Sequence, residues 1–343
     1  MNRVEPQADE NLLALATSLA ESAGKGQVYA LSRLAGGKNN QVYRVETEGG
    51  ASLVLKRYFT DPRDPRDRLR AEWEFLQHAW ARGIRCVPQP LACDAAVHAG
   101  LYSFVEGRKL LASELQPAHI AAAIDFVLAM NAKPRAELAP GSEACFTLAE
   151  HIATVERRVE RLARLDPEAP HAKEARTFVA TRLLPTWHAV QSDLSAHAQR
   201  AGIAMDQALA PDDCCLSPSD FGFHNALADD TGRVTFLDFE YAGRDDPAKL
   251  VSDFFCQPEI PVPLDYHATF VARVADGFGL DEKGCARCRM LLDVYRVKWT
   301  CIILNDFLPL GAARRAFADA GAWAARCAGQ LAKAKAKLAA LHT

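Results

Sequence analysis

The stretch Ser217-Pro218-Ser219-Asp220-Phe221-Gly222-Phe223-His224-Asn225, followed by Val234-Thr235-Phe236-Leu237-Asp238-Phe239-Glu240, decides how this chain is read. One acid, Asp220, stands five residues before the amide Asn225 on a glycine-containing loop. A second acid, Asp238, ends a short apolar run after the turn Asp229-Asp230-Thr231-Gly232. Kinase-type phosphoryl transfer needs such a set: a carboxylate to receive a hydroxyl proton, and an Asn and an Asp to hold magnesium on phosphates. Asp220-Phe221-Gly222 also spells the metal motif of protein kinases. That motif follows a catalytic loop with its own Asp and Asn, and residues 194–210 supply none. The order that works is Asp220 as base, then Asn225 and Asp238 as metal ligands. His224 reads as a loop residue bonding the backbone.

Upstream, strand-like runs at 27–34, 41–47 and 51–58 are joined by Ala35-Gly36-Gly37-Lys38-Asn39-Asn40 and by Glu48-Gly49-Gly50, both turn-forming. Lys56, near the end of the third run, shares a face with Val54 and Tyr58 by alternation. A helix over 68–82 follows, stopped by Gly83. Its apolar stripe is Leu69, Leu76 and Ala79, and Glu72 falls in the middle of it, whereas Glu74 falls among Arg70, Gln77 and His78. A carboxylate on an inward face needs a cation, and Lys56 is the natural partner. A strand lysine paired to a helix glutamate aims an ammonium at nucleotide phosphates. Gly36 and Gly37 let backbone N–H groups approach phosphates; the same residues serve equally as a plain hairpin loop, and they match neither GxGxxG nor a Walker A sequence.

The 343 residues suffice for roughly two domains. Hydrophobic residues are 49% and charged residues 24%, an ordinary globular balance. A net charge of -3 makes no electrostatic case for nucleic acid. No apolar run approaches the ~20 residues of a membrane span, and no basic, apolar leader opens the chain. The expectation is a cytoplasmic protein whose partner is a small molecule. Ten scattered cysteines suit reduced thiols, and Cys285-Ala286-Arg287-Cys288 is a lone CxxC without a second pair at zinc spacing. Residues 11–24 read as a helix, 86–93 and 100–105 as strands, and Glu106-Gly107-Arg108-Lys109 as a linker. Helices are expected at 113–131, 147–164, 171–200, 246–256, 264–278, 283–305 and 312–341. Sheet-rich first and helical second parts indicate an α+β fold of two lobes.

Together, Gly36-Gly37-x-Asn39, Val54-x-Lys56, Glu72-x3-Leu76, Tyr102-x-Phe104-Val105-Glu106-Gly107, Asp220-x4-Asn225 and Phe236-Leu237-Asp238-Phe239-Glu240-Tyr241-Ala242-Gly243 resemble the aminoglycoside phosphotransferase / choline kinase family. The resemblance covers residues 30–260 and implies a bilobal protein-kinase-like fold. Residues 1–106 would be a small antiparallel-sheet lobe that binds the nucleotide. Residues 107–343 would be a larger, mostly helical lobe with the catalytic loop, metal site and acceptor pocket. It implies ATP, with GTP the alternative, Mg2+, and a small-molecule hydroxyl acceptor. In that frame Asp220 is the base, and Asn225 and Asp238 hold the metal. Lys56, set by Glu72, and the loop of Gly36, Gly37 and Asn39 face the phosphates. Phe104 and Glu106 belong to a hinge, residues 102–106, that reads adenine by backbone contacts. The chain departs from the family in two places. Pro218 stands where a histidine usually precedes the catalytic Asp by two residues, and Asp246-Pro247-Ala248-Lys249-Leu250 lacks the second acid of Asp-Pro-x-x-Asp-Leu.

The acceptor is left open. Residues 239–343 hold 14 Lys+Arg and 12 Asp+Glu, not the acidic balance that a polycation calls for. Tyr295 and Trp299, with Tyr241, offer faces for a choline-like cation, or are core. Arg296 and Lys298 suit an anionic or sugar-like acceptor. Asp246 is expected as a helix N-cap. A non-catalytic nucleotide-binding module is the alternative of another class. A protein kinase is disfavoured, because no Ala-Pro-Glu-like end follows Asp238.

Overall fold

The structure, a computed structural model, describes residues 6–34, 40–62, 64–133, 137–309 and 320–342. Its contacts divide the chain into two units, residues 1–142 with 218–244 and residues 143–217 with 245–343.

The first unit is built on β1 (Val28–Arg33), β2 (Gln41–Thr47), β3 (Ser52–Arg57), β4 (Pro90–Asp94) and β5 (Ala99–Ser103). They form an antiparallel sheet in the order β1-β2-β3-β5-β4. Alternation turns Leu53 and Leu55 of β3 to one face. There α1 (Pro6–Ser22) lays Leu12, Ala16 and Leu19, at helical spacing, into a core with Val45, Leu53, Leu55 and Leu101. α2 (Arg68–Ala81) starts where the Asp67 side chain accepts from Arg70 N at 3.0 Å. The strand expected at 86–93 begins only at Pro90. Pro88 and Pro90 bring no N–H donor to a ladder, and β4 is accordingly a sheet edge.

The expected linker at 106–109 is instead paired. β6 (Ala226–Ala228) and β7 (Val234–Phe236) form an antiparallel hairpin, and Arg108 exchanges backbone hydrogen bonds of 3.0 and 2.9 Å with Ala228. Gly107 makes this approach at φ 140°, where a Cβ would lie 2.8 Å from the Ala228 carbonyl oxygen. α3 (Pro117–Asn131) follows. Its Phe126 stacks on Phe236 at 4.9 Å and lies 5.8 Å from Phe221 and 6.0 Å from Phe239. This aromatic cluster draws 107–133 and 218–244 together with the sheet, and no cut of the contact pattern falls at 106/107.

The second unit is helical: α4 (Leu148–Arg161), α5 (Ala172–Phe178), α6 (Leu184–Arg200), α7 (Pro247–Cys256), α8 (His267–Phe278), α9 (Glu282–Met290), α10 (Leu292–Ile303) and α11 (Ala320–Ala339). The helix read at 171–200 runs on through a π-turn at Val179–Leu183, beside Pro185, which has no N–H to give the ladder. The helix read at 283–305 breaks at Leu291. α10 packs against α4, α6, α7, α9 and α11. α7 is buried along its whole length, so its charges must be matched internally. Lys249 pairs with Asp245, and Asp253 accepts from Lys298 at 2.9 Å and from Trp299 Nε1 at 2.8 Å. Lys298 also lies 4.6 Å from the centroid of the buried Tyr295 ring. These contacts decide between the two readings of Tyr295 in favour of core, its face taken by the protein's own ammonium, and they neutralise Lys298 within the fold.

Asp246 caps α7 as expected, accepting from Ala248 N at 2.7 Å. It also accepts from the buried His151 at 3.0 Å and from Arg287, while the other ring nitrogen of His151 meets the Tyr295 hydroxyl at 2.8 Å. Burial alone would lower the His151 pKa, but the hydrogen bond and charge of Asp246 outweigh it and raise the pKa from 6.5 to about 9. The folded state therefore binds this proton more tightly than the unfolded chain. The stabilisation is full below pH 6.5 and is lost as pH rises through about 9. The denaturation midpoint should fall between pH 6.5 and 9, and His151→Gln should flatten that slope. In the first unit, Phe126→Ala should cost about 3–5 kcal/mol in equilibrium denaturant unfolding, as expected of a fully enclosed phenyl ring.

Candidate active site

The alternation that turns Leu55 toward α1 turns Lys56 to the opposite face of β3, where it is 7% exposed. On α2, Glu72 lies among buried Leu69, Phe75, Leu76 and Ala79 and is 4% exposed. The two meet: Lys56 Nζ is 2.6 Å from Glu72 Oε2 and 2.5 Å from Asp238 Oδ1. Glu72 Oε2 also accepts from the Tyr58 hydroxyl at 2.7 Å. Burial pulls the Lys56 pKa down, but the carboxylates of Glu72, Asp238 and Glu240 more than compensate and hold it above its ordinary value. The ammonium stays charged.

Asp238 stands two residues after the end of β7. Phe236 on one side of it joins the Phe126 cluster, and Phe239 on the other stacks on Phe75 at 4.8 Å. Two anchored rings thus bracket a carboxylate whose side chain is 39% exposed. Asp238 sits at φ 66°, and Ser219 and Asp220 at 48° and 39°. Three non-glycine residues in the left-handed region mark a backbone held by its surroundings.

In the preceding loop, Phe221 and Phe223 are buried and face Phe236 at 5.2 and 6.4 Å. The phenylalanine of Asp220-Phe221-Gly222 is therefore a packing residue. Asn225 Nδ2 donates to the Asp220 carbonyl at 3.1 Å and reaches Asp220 Oδ2 at 3.5 Å. The amide nitrogen does the donating, so Oδ1 is the atom that can face a cation. His224 departs from expectation: its Nε2 lies 3.3 Å from Asp220 Oδ1 rather than on the backbone. Leu237 N donates to Asn225 O at 2.8 Å and joins the two acidic segments.

Lys56, Glu72 and Asp238 thus form one ionic set, and Asp220 and Asn225 a second one bond away. Phe104 and Glu106 follow β5. Phe104 N bonds Ser52 O at 3.3 Å with its ring under Arg44 at 4.4 Å, and Glu106 is exposed. Gly36, Gly37 and Asn39 fall outside the described residues. Sequence reading left Glu240 and Asn40 without a role. Glu240 is buried, accepts from Asn40 Nδ2 at 2.5 Å and lies 3.7 Å from Arg68 Nε; Asn40 Oδ1 accepts from Phe59 N at 3.2 Å. The spacing of Glu240 two residues after Asp238 was the available signal, and its partner 200 residues away was not. Tyr241, read as a face for a cationic acceptor, carries Arg66 and Arg68 at 5.4 and 5.9 Å from its centroid. Among the described residues no three or more His, Cys, Asp or Glu gather as a metal cage, and no helix is long and apolar enough to cross a membrane. None of the ten cysteines is joined in a disulfide.

The family model described as "Phosphotransferase enzyme family" matches residues 30–289. No curated protein sequence matches the chain. Among solved structures, a choline kinase from Cryptosporidium parvum Iowa II is 12% identical, with 95% of each chain covered and a TM-score of 0.57. A choline/ethanolamine kinase family protein from Mesorhizobium loti is 19% identical, with 94% of each chain covered and a TM-score of 0.56. A spectinomycin phosphotransferase, solved with ADP and spectinomycin, is 12% identical; 96% of this chain and 98% of that chain are covered, and the TM-score is 0.60. At such identities the likeness shows the fold, which is protein-kinase-like: an antiparallel sheet in the N-terminal region and a mostly helical C-terminal part.

Glu72→Ala leaves the buried ammonium with one half-exposed carboxylate and the Tyr58 hydroxyl without its acceptor. Breaking a buried pair on one side costs about 3–5 kcal/mol, and the surviving Asp238 contact puts this variant at the lower end. Urea unfolding of wild type and variant measures the difference.

Proposed function

This chain belongs to the phosphotransferase enzyme family, and we propose that it transfers the terminal phosphoryl group of ATP, with Mg2+, to a hydroxyl of a small molecule. The observation that carries this reading is the buried Lys56 ammonium held between Glu72 and Asp238, one backbone hydrogen bond from the loop of Asp220 and Asn225. In this reading Lys56 binds the nucleotide phosphates, and Glu72 keeps the lysine in place. Gly36, Gly37 and Asn39 complete the phosphate site, and the backbone at Phe104 and Glu106 meets the base.

The donor set fits a hard cation. Asn225 Oδ1 and the part-exposed Asp238 carboxylate are oxygen ligands, and Mg2+ is usually held by few protein oxygens plus phosphates and water. Bound there, it would neutralise charge on the transferring phosphoryl group. Asp220 accepts the proton of the acceptor hydroxyl as that oxygen bonds to phosphorus and the bond to ADP breaks. Asn225 Nδ2 and His224 Nε2 hold the Asp220 carboxylate in orientation. The kinases named for choline, for choline or ethanolamine and for spectinomycin support an acceptor among amino alcohols and aminated sugars.

Asp220→Asn should leave MgATP affinity near the wild-type value while kcat falls about 10²–10⁴-fold, the usual contribution of a general base. Calorimetric titration of MgATP, with ADP release scored on a panel of hydroxyl metabolites, measures both. A large loss of MgATP affinity would instead make Asp220 a metal ligand and reverse the roles in the loop. Run with ATP and GTP in parallel, the same assay assigns the nucleotide.

A further inference from the structure

The hydroxyl behind Glu72 has no part in the reading so far. Tyr58, two residues after Lys56 and one past the end of β3, has its ring centroid 5.1 Å from Lys56 Nζ. Its hydroxyl contacts Glu72 Oε2 at 2.7 Å and the Tyr102 hydroxyl at 2.7 Å. Tyr58 and Tyr102 are 6% and 3% exposed. Hydrogen-bond chemistry fixes the direction of this chain. An ionised carboxylate accepts only, so Tyr58 donates to Glu72, and the Tyr58 oxygen is left to accept from Tyr102. Burial first, and the charge of Glu72 second, hold both phenols above their ordinary pKa, so both keep their protons. One carboxylate oxygen thus receives two donors, Lys56 Nζ and the Tyr58 hydroxyl.

The backbone is shaped for this arrangement. In the β3–β5 register Lys56 lies opposite Gly100, and Val54 opposite Tyr102. The Tyr102 phenol reclines over Gly100, where a Cβ would stand 2.7 Å from the phenol Cζ. A glycine opposite the lysine leaves room for the Tyr102 hydroxyl to reach Tyr58.

We propose that Tyr58 is a positioning residue for phosphoryl transfer: oriented by Tyr102, its hydroxyl fixes the Glu72 oxygen and through it the direction of the Lys56 ammonium. This inference rests on the reading of Lys56 as the phosphate-binding lysine. Without the Tyr58 hydroxyl, Glu72 Oε2 keeps one donor, the Lys56 ammonium, and loses the contact that fixes its direction. Lys56, which also lies 2.5 Å from Asp238 Oδ1, is then no longer held by Glu72 in one orientation toward the phosphates.

The test measures binding and needs no acceptor. Calorimetry gives MgATP and adenosine affinities for wild type, Tyr58→Phe, Tyr102→Phe, Gly100→Ala and Lys56→Ala, with thermal unfolding of each. Tyr58→Phe should weaken MgATP by about ten- to a hundredfold, the worth of a hydrogen bond to a charged group. Adenosine affinity, which does not involve phosphates, should stay unchanged. Tyr102→Phe and Gly100→Ala should weaken MgATP in the same direction by less, and they carry the test if Tyr58→Phe does not fold. MgATP affinity equal to wild type in every folded one of these three variants, with Lys56→Ala defective, overturns the tyrosine relay and leaves the site reading standing. Equal loss of MgATP and adenosine makes the tyrosines merely structural and also overturns it. Wild-type MgATP affinity in Lys56→Ala overturns the phosphate-site reading itself, and the relay with it.

Discussion

A buried ammonium has to be matched, and in the first unit that requirement organises the chain. Lys56 reaches a carboxylate 16 residues away on α2 and another 182 residues away after β7. As a source of stability such a set is unremarkable, because well-packed apolar side chains of similar volume do as well or better. What it supplies is definition. Three segments far apart in the chain must arrive at one point, and the positive charge must point where two carboxylates allow. The Asn40–Glu240 hydrogen bond applies the same constraint a second time, again across 200 residues.

The acidic loops depend on apolar packing more than on their own polar contacts. Phe221, Phe223, Phe236 and Phe239 alternate with Asp220, Asn225 and Asp238 along the chain, and the rings are buried around Phe126 and Phe75. The polar groups are thereby turned outward, at backbone angles that free chains rarely visit. A carboxylate held by core on both sides keeps its orientation when its charge partners change. That is what the proposed exchange of Lys56 for a metal ion at Asp238 requires.

The second unit shows how composition misleads about binding. Its basic and acidic side chains nearly balance, and several of them never face a ligand. Lys249, Lys298 and Arg287 are each paired with an aspartate and buried. Lys298, with its ammonium 4.6 Å from the Tyr295 centroid, occupies the face of that ring within the fold. Charge counts over this region therefore say little about the acceptor. The buried His151–Asp246–Arg287 set ties the cap of α7 to a titrating group.

Much of this was legible in one dimension. Alternation in β3 and the misplaced carboxylate of α2 announced the Lys56–Glu72 pair, because period-two and period-3.6 patterns are local and a charge that breaks one needs a reason. The spacing Asp220–Asn225 and the acid after the apolar run 234–237 marked the two acidic segments for the same cause. The α+β division followed from where strands gave way to helices. Tertiary structure alone decided the rest. It attached residues 107–133 and 218–244 to the sheet through ring stacking that no local pattern encodes. It turned His224 toward Asp220, matched Glu240 to Asn40, and directed Tyr295 and Lys298 inward. It also set Tyr102 over Gly100 and so behind Glu72. Each of these is a contact between residues far apart in the chain or hidden within a helix of mixed composition. Sequence order states which groups exist, and only packing states which of them are near enough to act on one another.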